Sequence, residues 1–238
     1  MTEHLRGDRA RPLIVAIDGP AAAGKSTIAA MLARRLGVPY LDTGAMYRAV
    51  GWLAIEAGIR QPIDPADADR VVALLDTHPV SLEPSGHAMR VLVDGREVGE
   101  EIRTPEVAMM ASAVSALPAV RRRLVAAQRE LGLRSGGVME GRDITSVVFP
   151  DATLRVFLTA AADERARRRH LDLGGPASPS LEEVRRQQAQ RDRQDTTRAD
   201  SPLQVAEGVI VVDTTGQRPE AVVQRLLDEL DRVAAAGA

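Results

Sequence analysis

The stretch Gly19-Pro20-Ala21-Ala22-Ala23-Gly24-Lys25-Ser26-Thr27 constrains this chain more than any other. It fits G-x-x-x-x-G-K-[ST], the pattern of a loop that cradles phosphates. Leu13-Ile14-Val15-Ala16-Ile17 precedes it, an apolar run of buried-strand length. Ile28, Leu32 and Leu36 follow at helical spacing. Strand, glycine loop and helix give the pattern a mechanism. Loop N–H groups and the positive end of the helix face bound phosphates. In that setting Lys25 reaches the β- and γ-phosphates of ATP, and the Ser26 hydroxyl ligates Mg²⁺.

Lys25 is the only lysine in the chain, and asparagine is absent. Arginine does the work of lysine everywhere else. A lysine kept in this loop alone points to a position where a planar guanidinium cannot replace a compact ammonium.

Further along, apolar strand-like runs alternate with helical patterns. Tyr40-Leu41, Val138-Met139, Leu154–Leu158 and Val209–Val212 read as strands. Helices are expected to about Leu36, over 45–57, around Val71 to Leu75, and over 105–115, 119–131, 162–170, 181–195 and 219–234. Such alternation predicts an α/β fold, with a parallel sheet of about five strands covered by helices on both faces. Ligands of such sheets sit beyond the strand C-termini. Residues 79–103 differ. Val80-Ser81-Leu82 and Met89–Val93, with turn signals at Ser85-Gly86 and Asp94-Gly95, predict a small antiparallel sheet set into the βα chain.

The polar clusters fall at the expected strand ends. Asp42-Thr43-Gly44 follows the second strand, with Thr43 placed to cap a helix and Arg48 one turn into it. Glu140-Gly141-Arg142-Asp143 follows the third, where an Arg–Asp pair suits a planar hydrogen-bonding ligand or a structural salt bridge. Arg165, Arg168 and Arg169 share one helix face, and Arg191, Asp195 and Arg198 another. Converging guanidinium groups suit phosphoryl transfer, which spreads negative charge over oxygen atoms. A solvated face with ion pairs to Glu182 or Asp192 is the plainer alternative. Arg103, Ser112 and Arg121 form a weaker set around the inserted sheet. His4, His78, His87 and His170 lack ligand spacing and read as surface residues, and Trp52 as a core residue.

The formal net charge of −2 gives no sign of a nucleic-acid or membrane partner. Without cysteine, disulfides and thiolate chemistry are excluded. The polar start, MTEHLRGDRARP, reads as a loose tail without a signal-peptide core. A soluble, cytoplasmic, monomeric protein is expected.

GPAAAGKST, LDTGAMYR, EIRTPEV, VMEGRD with VVFPDA, ERARRR and RDRQDTTRADSPL occur here in the order seen in bacterial cytidylate kinases, within the P-loop nucleoside monophosphate kinases. The resemblance runs from about Leu13 to about Leu230. It implies transfer of the γ-phosphoryl group of ATP to CMP or dCMP. It implies a tail over 1–12, a core over about 13–60, 117–165 and 200–238, a monophosphate-binding insert over about 61–116 and a helical lid over about 166–199. By position, Gly19 to Thr27 would bind ATP, and Ser26 the Mg²⁺ that arrives with it. Thr43, Arg48, Ser112, Arg121, Arg142, Asp143, Asp195 and Arg198 would contact the monophosphate. Arg48 and Arg142 would hold its phosphate, Ser112 and Asp143 the cytosine amine, and Asp195 and Arg198 the sugar. Lys25, Arg169 and Arg191 would serve the transferred group. Such kinases usually have Gly-Thr after GRDI, where this chain has Thr145-Ser146. Alternative readings are a P-loop kinase for UMP, shikimate or a nucleoside, or a nucleotide switch without catalysis.

Overall fold

The structure, a computed structural model, describes residues 12–86, 88–174 and 179–236. The expected tail to residue 11, His4, His87 and the Gly175-Pro176 part of the break before 181 lie outside the described residues.

The phosphate loop joins β1 (Ile14–Asp18) to α1 (Lys25–Leu36). β2 (Tyr40–Asp42) leads directly into α2 (Thr43–Glu56), and α3 (Pro65–Thr77) follows. β3 (Val80–Ser85), β4 (Ala88–Val93) and β5 (Arg96–Glu97) form the antiparallel three-stranded sheet. A single 3₁₀ turn at Glu101–Arg103 precedes α4 (Pro105–Ser115) and α5 (Pro118–Ser135). Then come β6 (Gly137–Glu140), a π turn at Ile144–Val148, β7 (Leu154–Thr159), α6 (Ala162–Asp172) and α7 (Leu181–Thr197). β8 (Ile210–Asp213) and α8 (Pro219–Ala236) close the chain.

The main sheet is parallel, in the order β2-β6-β1-β7-β8. Side chains along β1 alternate between two apolar layers. Ile14 and Ala16 pack with Leu41, Met139 and the inner faces of α2, α4 and α5. Val15 and Ile17 pack with Val156 and Leu158, under α1 and the Val222-Val223-Leu226-Leu230 stripe of α8. Burial on both faces is why these strands read as continuous apolar runs. Trp52 is half-buried against the first layer, as expected of a core residue.

Register aligns the strand ends. Ile17 pairs with Glu140, and Asp42 pairs with Glu140 from the other side. The phosphate loop, the start of α2 and the Gly141-Arg142-Asp143 loop therefore leave the sheet at one level. α2 and α4 approach so closely at Gly51 that an added Cβ would lie 2.8 Å from the Ala111 amide nitrogen. That contact seats α4, and with it Ser112, over the same edge.

Candidate active site

A cleft of about 770 Å³ opens at this edge. Ala21, Ala22, Gly24, Lys25, Ser26 and Thr27 line one side of it. Gly19, Pro20 and Ala23, expected to bind ATP with them, are not among the residues that line it. Gly19 has a φ of 149°, and an added Cβ would lie 2.0 Å from the Leu158 carbonyl oxygen, so no other residue fits there. Lys25 is buried and donates to the Pro20 carbonyl at 2.8 Å. Burial, and then the neighbouring Arg142 charge, push its pKa down to about 7.

Thr43, Arg48, Ser112, Arg121, Arg142, Asp143, Arg169, Arg191, Asp195 and Arg198 all line the same cleft. They come from α2, α4, α5, the loop after β6, α6 and α7, so the fold gathers what the sequence scatters. Several take partners that their spacing did not indicate. Thr43 does not cap α2. Asp42 does, accepting from the Ala45 amide at 3.1 Å, while its other oxygen pairs with Arg48 at 2.6 Å. The Thr43 hydroxyl instead donates to the Glu140 carbonyl at 2.7 Å, locking α2 to β6. Arg142 and Asp143 do not pair with each other. Arg142 bonds Asp195 at 2.8 Å. Burial raises the Asp195 carboxyl, but the Arg142 charge and hydrogen bond outweigh it and hold the group below the usual range. Asp143 pairs through Oδ2 with Arg121, both side chains being almost fully buried. Its Oδ1 has no protein partner among the described residues. Arg121 is thus a deep cleft residue, not a neighbour of the small sheet. Ser112 donates to Gln194 Oε1 at 3.0 Å, joining α4 to α7.

The two arginine clusters divide. Arg165 pairs with Asp192 at 2.8 Å and donates to the Ala160 and Ala21 carbonyls, pinning α6 to α7 and to the phosphate loop. Arg168 bonds Glu164, Thr214 Oγ1 and the Thr214 carbonyl. Arg165 does not line the cleft, whereas Arg168, though tied this way, still lines it beside Gly24. The Arg169 side chain makes no hydrogen bond or ion pair among the described residues, and the buried Nε of Arg191 has no partner. Burial, then the Arg142 charge, push Arg191 down to about 10, with Arg169 and Arg48 adding to the repulsion. Of the histidines, His78 pairs with Asp94 at 2.7 Å, far from the cleft.

Sequence reasoning assigned no role to Asp18, Tyr40, Glu140 or Tyr47. Tyr40 donates to Glu140 at 2.5 Å, and the Ser26 side chain lies at the same carboxylate. Burial, then the Asp42 charge, raise the Glu140 carboxyl. Tyr47 lies 5.7 Å below the Arg121 guanidinium, with its buried hydroxyl unpartnered. The strand-end position of Glu140 was a usable signal. Tyr40 and Tyr47 gave none, because their spacing also fits an ordinary core.

Residues 15–232 match the family model described as cytidylate kinase. The chain is 46% identical over 219 residues to the cytidylate kinase of Carboxydothermus hydrogenoformans, covering 92% of this chain and 97% of that one. It is 48% identical over 221 residues to a bifunctional pantoate ligase/cytidylate kinase of Prochlorococcus marinus (strain MIT 9313), covering 92% of this chain and 43% of that protein. The chain therefore spans less than half the length of such bifunctional relatives. Among solved structures, an uncharacterized protein from Eubacterium ventriosum has the same fold, with a TM-score of 0.53, 11% identity, and coverage of 93% of this chain and 99% of that one. Among the described residues, no helix is long and apolar enough to cross a membrane.

Proposed function

The chain belongs to the cytidylate kinase family, and from that premise we propose that it moves the γ-phosphoryl group of ATP to CMP or dCMP, giving ADP and CDP or dCDP. One observation carries the reading. Arg191 is half-buried among Arg142, Arg169 and Arg48, with Asp195 also beside it and its buried Nε unpartnered. Cations crowd this way where an anion completes the set. An oxygen of the CMP phosphate attacks the γ-phosphorus, the bond to the β–γ bridging oxygen breaks, and ADP leaves. No covalent enzyme intermediate is needed, so the protein's task is to position and to neutralise.

In this proposal the loop amides and Lys25 hold the ATP phosphates. Arg48 and Arg142 hold the CMP phosphate, and each already carries a carboxylate partner, Asp42 or Asp195, that fixes its direction. Asp143, aimed by Arg121, accepts from the cytosine amine together with Ser112. Asp195 and Arg198 face the sugar, and Arg169 and Arg191 meet the charge that develops on the transferred group. Ser26 and Glu140 fit Mg²⁺, which binds through few protein oxygens plus phosphates and water. When bound, the ion would draw charge from the phosphate oxygens.

We also propose that residues 61–116 act as the monophosphate-binding insert and 166–199 as the lid, with 13–60, 117–165 and 200–238 as the core. The protein would work as a cytoplasmic monomer, where both nucleotides are found. ADP release measured over a panel of nucleoside monophosphates tests the activity. ADP should form only with an acceptor present, and kcat/KM for CMP and dCMP should exceed that for UMP by at least tenfold. Acceptor-independent hydrolysis would support a nucleotide switch and refute the proposal.

A further inference from the structure

The Asp18 carboxylate is fully buried and belongs to neither substrate's expected contacts. It ends β1, immediately before the phosphate loop. Its oxygens accept from the Ile144 amide at 2.8 Å, the Thr145 amide at 2.7 Å and the Thr145 hydroxyl at 2.6 Å. No ion pair reaches it among the described residues. One dipeptide therefore supplies its hydrogen-bond donors, and that dipeptide immediately follows Asp143, the proposed base reader.

The loop from Gly141 to Val148 is held at both ends by backbone bonds. The Gly141 amide donates to the Ile17 carbonyl at 2.9 Å. Arg129 donates to the Val147 and Val148 carbonyls at 2.6 and 3.1 Å. Between those ends Asp18 anchors Ile144 and Thr145, while Arg142 is tied to Asp195 and Asp143 to Arg121. Asp18 itself cannot shift to follow the loop, because Gly19 is wedged against β7. The Ile144-Thr145 step that follows Asp143 must therefore settle where Asp18 places it. Hydrogen bonds to a buried charge are about twice as strong as neutral ones, and their loss leaves that charge undersatisfied. Burial raises the Asp18 carboxyl; the bond from the Thr145 hydroxyl opposes this most, followed by those from the Thr145 and Ile144 amides.

We propose that Thr145 is a positioning residue. Through its hydroxyl and Asp18, it fixes the Asp143 loop on the phosphate-loop strand and so sets base selectivity. By the resemblance above, Thr145 stands where such kinases usually carry glycine, which would keep the amide donor but bring no hydroxyl. The inference rests on the proposed role of Asp143 in reading cytosine.

Steady-state kinetics of Thr145→Val and Thr145→Ser, with CMP, UMP and ATP each varied, test it. Valine keeps the shape and loses the hydroxyl; serine keeps the hydroxyl and loses a methyl. For Thr145→Val, KM for CMP should rise roughly tenfold, the scale of one hydrogen bond to a charge. KM for ATP and for UMP should stay within about twofold, so the CMP:UMP ratio falls roughly tenfold. Thr145→Ser should stay within about twofold of wild type in all three. An unchanged CMP:UMP ratio in Thr145→Val, or a serine variant as impaired as valine, would overturn the inference. If the valine variant does not fold, Thr145→Ala against Thr145→Ser makes the same comparison. A wild-type chain inactive on CMP refutes the proposed function instead, so the two failures are distinct.

Discussion

Replacing Asp143 by alanine should damage the fold as well as the chemistry. Asp143 and Arg121 are almost fully buried, and their pair is the main answer to the Arg121 charge. Arg121 otherwise has the Ser115 carbonyl at 3.3 Å and the face of Tyr47, while its Nε is unpartnered. Removing one partner of a buried pair typically costs about 3–5 kcal/mol, because the other charge stays buried alone. For a chain of this length each kcal/mol shifts Tm by about 2–4 °C. A value near 4 kcal/mol therefore predicts a fall of about 8–16 °C for Asp143→Ala. The double change Arg121→Met with Asp143→Leu removes both charges and should recover most of that loss. Both variants should lose CMP preference over UMP, since a carboxylate that accepts from an amine and repels a carbonyl is gone. Thermal unfolding by circular dichroism and kinetics on both nucleotides are the assays. An Asp143→Ala Tm within 2 °C of wild type, or a double variant no more stable than the single one, would refute the reasoning.

Two other outcomes rest on the same cleft. Arg169→Ala and Arg191→Ala should each lower kcat by about 10²–10³ with KM for CMP within threefold, since these groups are proposed to meet charge that develops in the transition state; a rise confined to KM would show a binding role instead. Lys25, held near pH 7 by burial and Arg142, should gain a proton when ATP phosphates arrive. Calorimetry at pH 8 in buffers of different ionisation enthalpy should detect that uptake, and Lys25→Met should abolish both the uptake and phosphoryl transfer. The lowered pKa also disfavours the folded nucleotide-free state below pH 7, and this penalty should be relieved as pH rises toward the ordinary lysine value.

Local chemistry made much of the chain legible. The phosphate loop needs glycine at Gly19 and Gly24 and an ammonium at Lys25, and these requirements act within nine residues. The central strands β1 and β6 announced themselves because both faces are covered, leaving apolar runs, whereas β8 at the edge leaves Val211 exposed. The small antiparallel sheet was readable from turn residues at Ser85-Gly86 and Asp94-Gly95. None of this depends on which distant segment lies alongside.

Partner choice among charges is the part that local sequence does not contain. Arg165, Arg168 and Arg169 share one face by spacing, yet Arg165 is spent on Asp192 and backbone carbonyls, Arg168 lines the cleft while bonded to Glu164 and Thr214, and the Arg169 side chain lines it without a partner among the described residues. Arg142 and Asp143 are neighbours in sequence, yet one turns to α7 and the other to α5. A guanidinium pairs with whichever carboxylate the packing brings within about 3 Å, and helix and strand placement decides that. Asp18 is the clearest case. The residue before the phosphate loop looks like any strand end, and only the register of β1 against β6 brings Thr145 to it, 127 residues away. The sequence by itself determined the phosphate loop, the sheet and the residue types of the site. The tertiary structure decided which charges are free to meet a ligand, because that depends on distances across the chain.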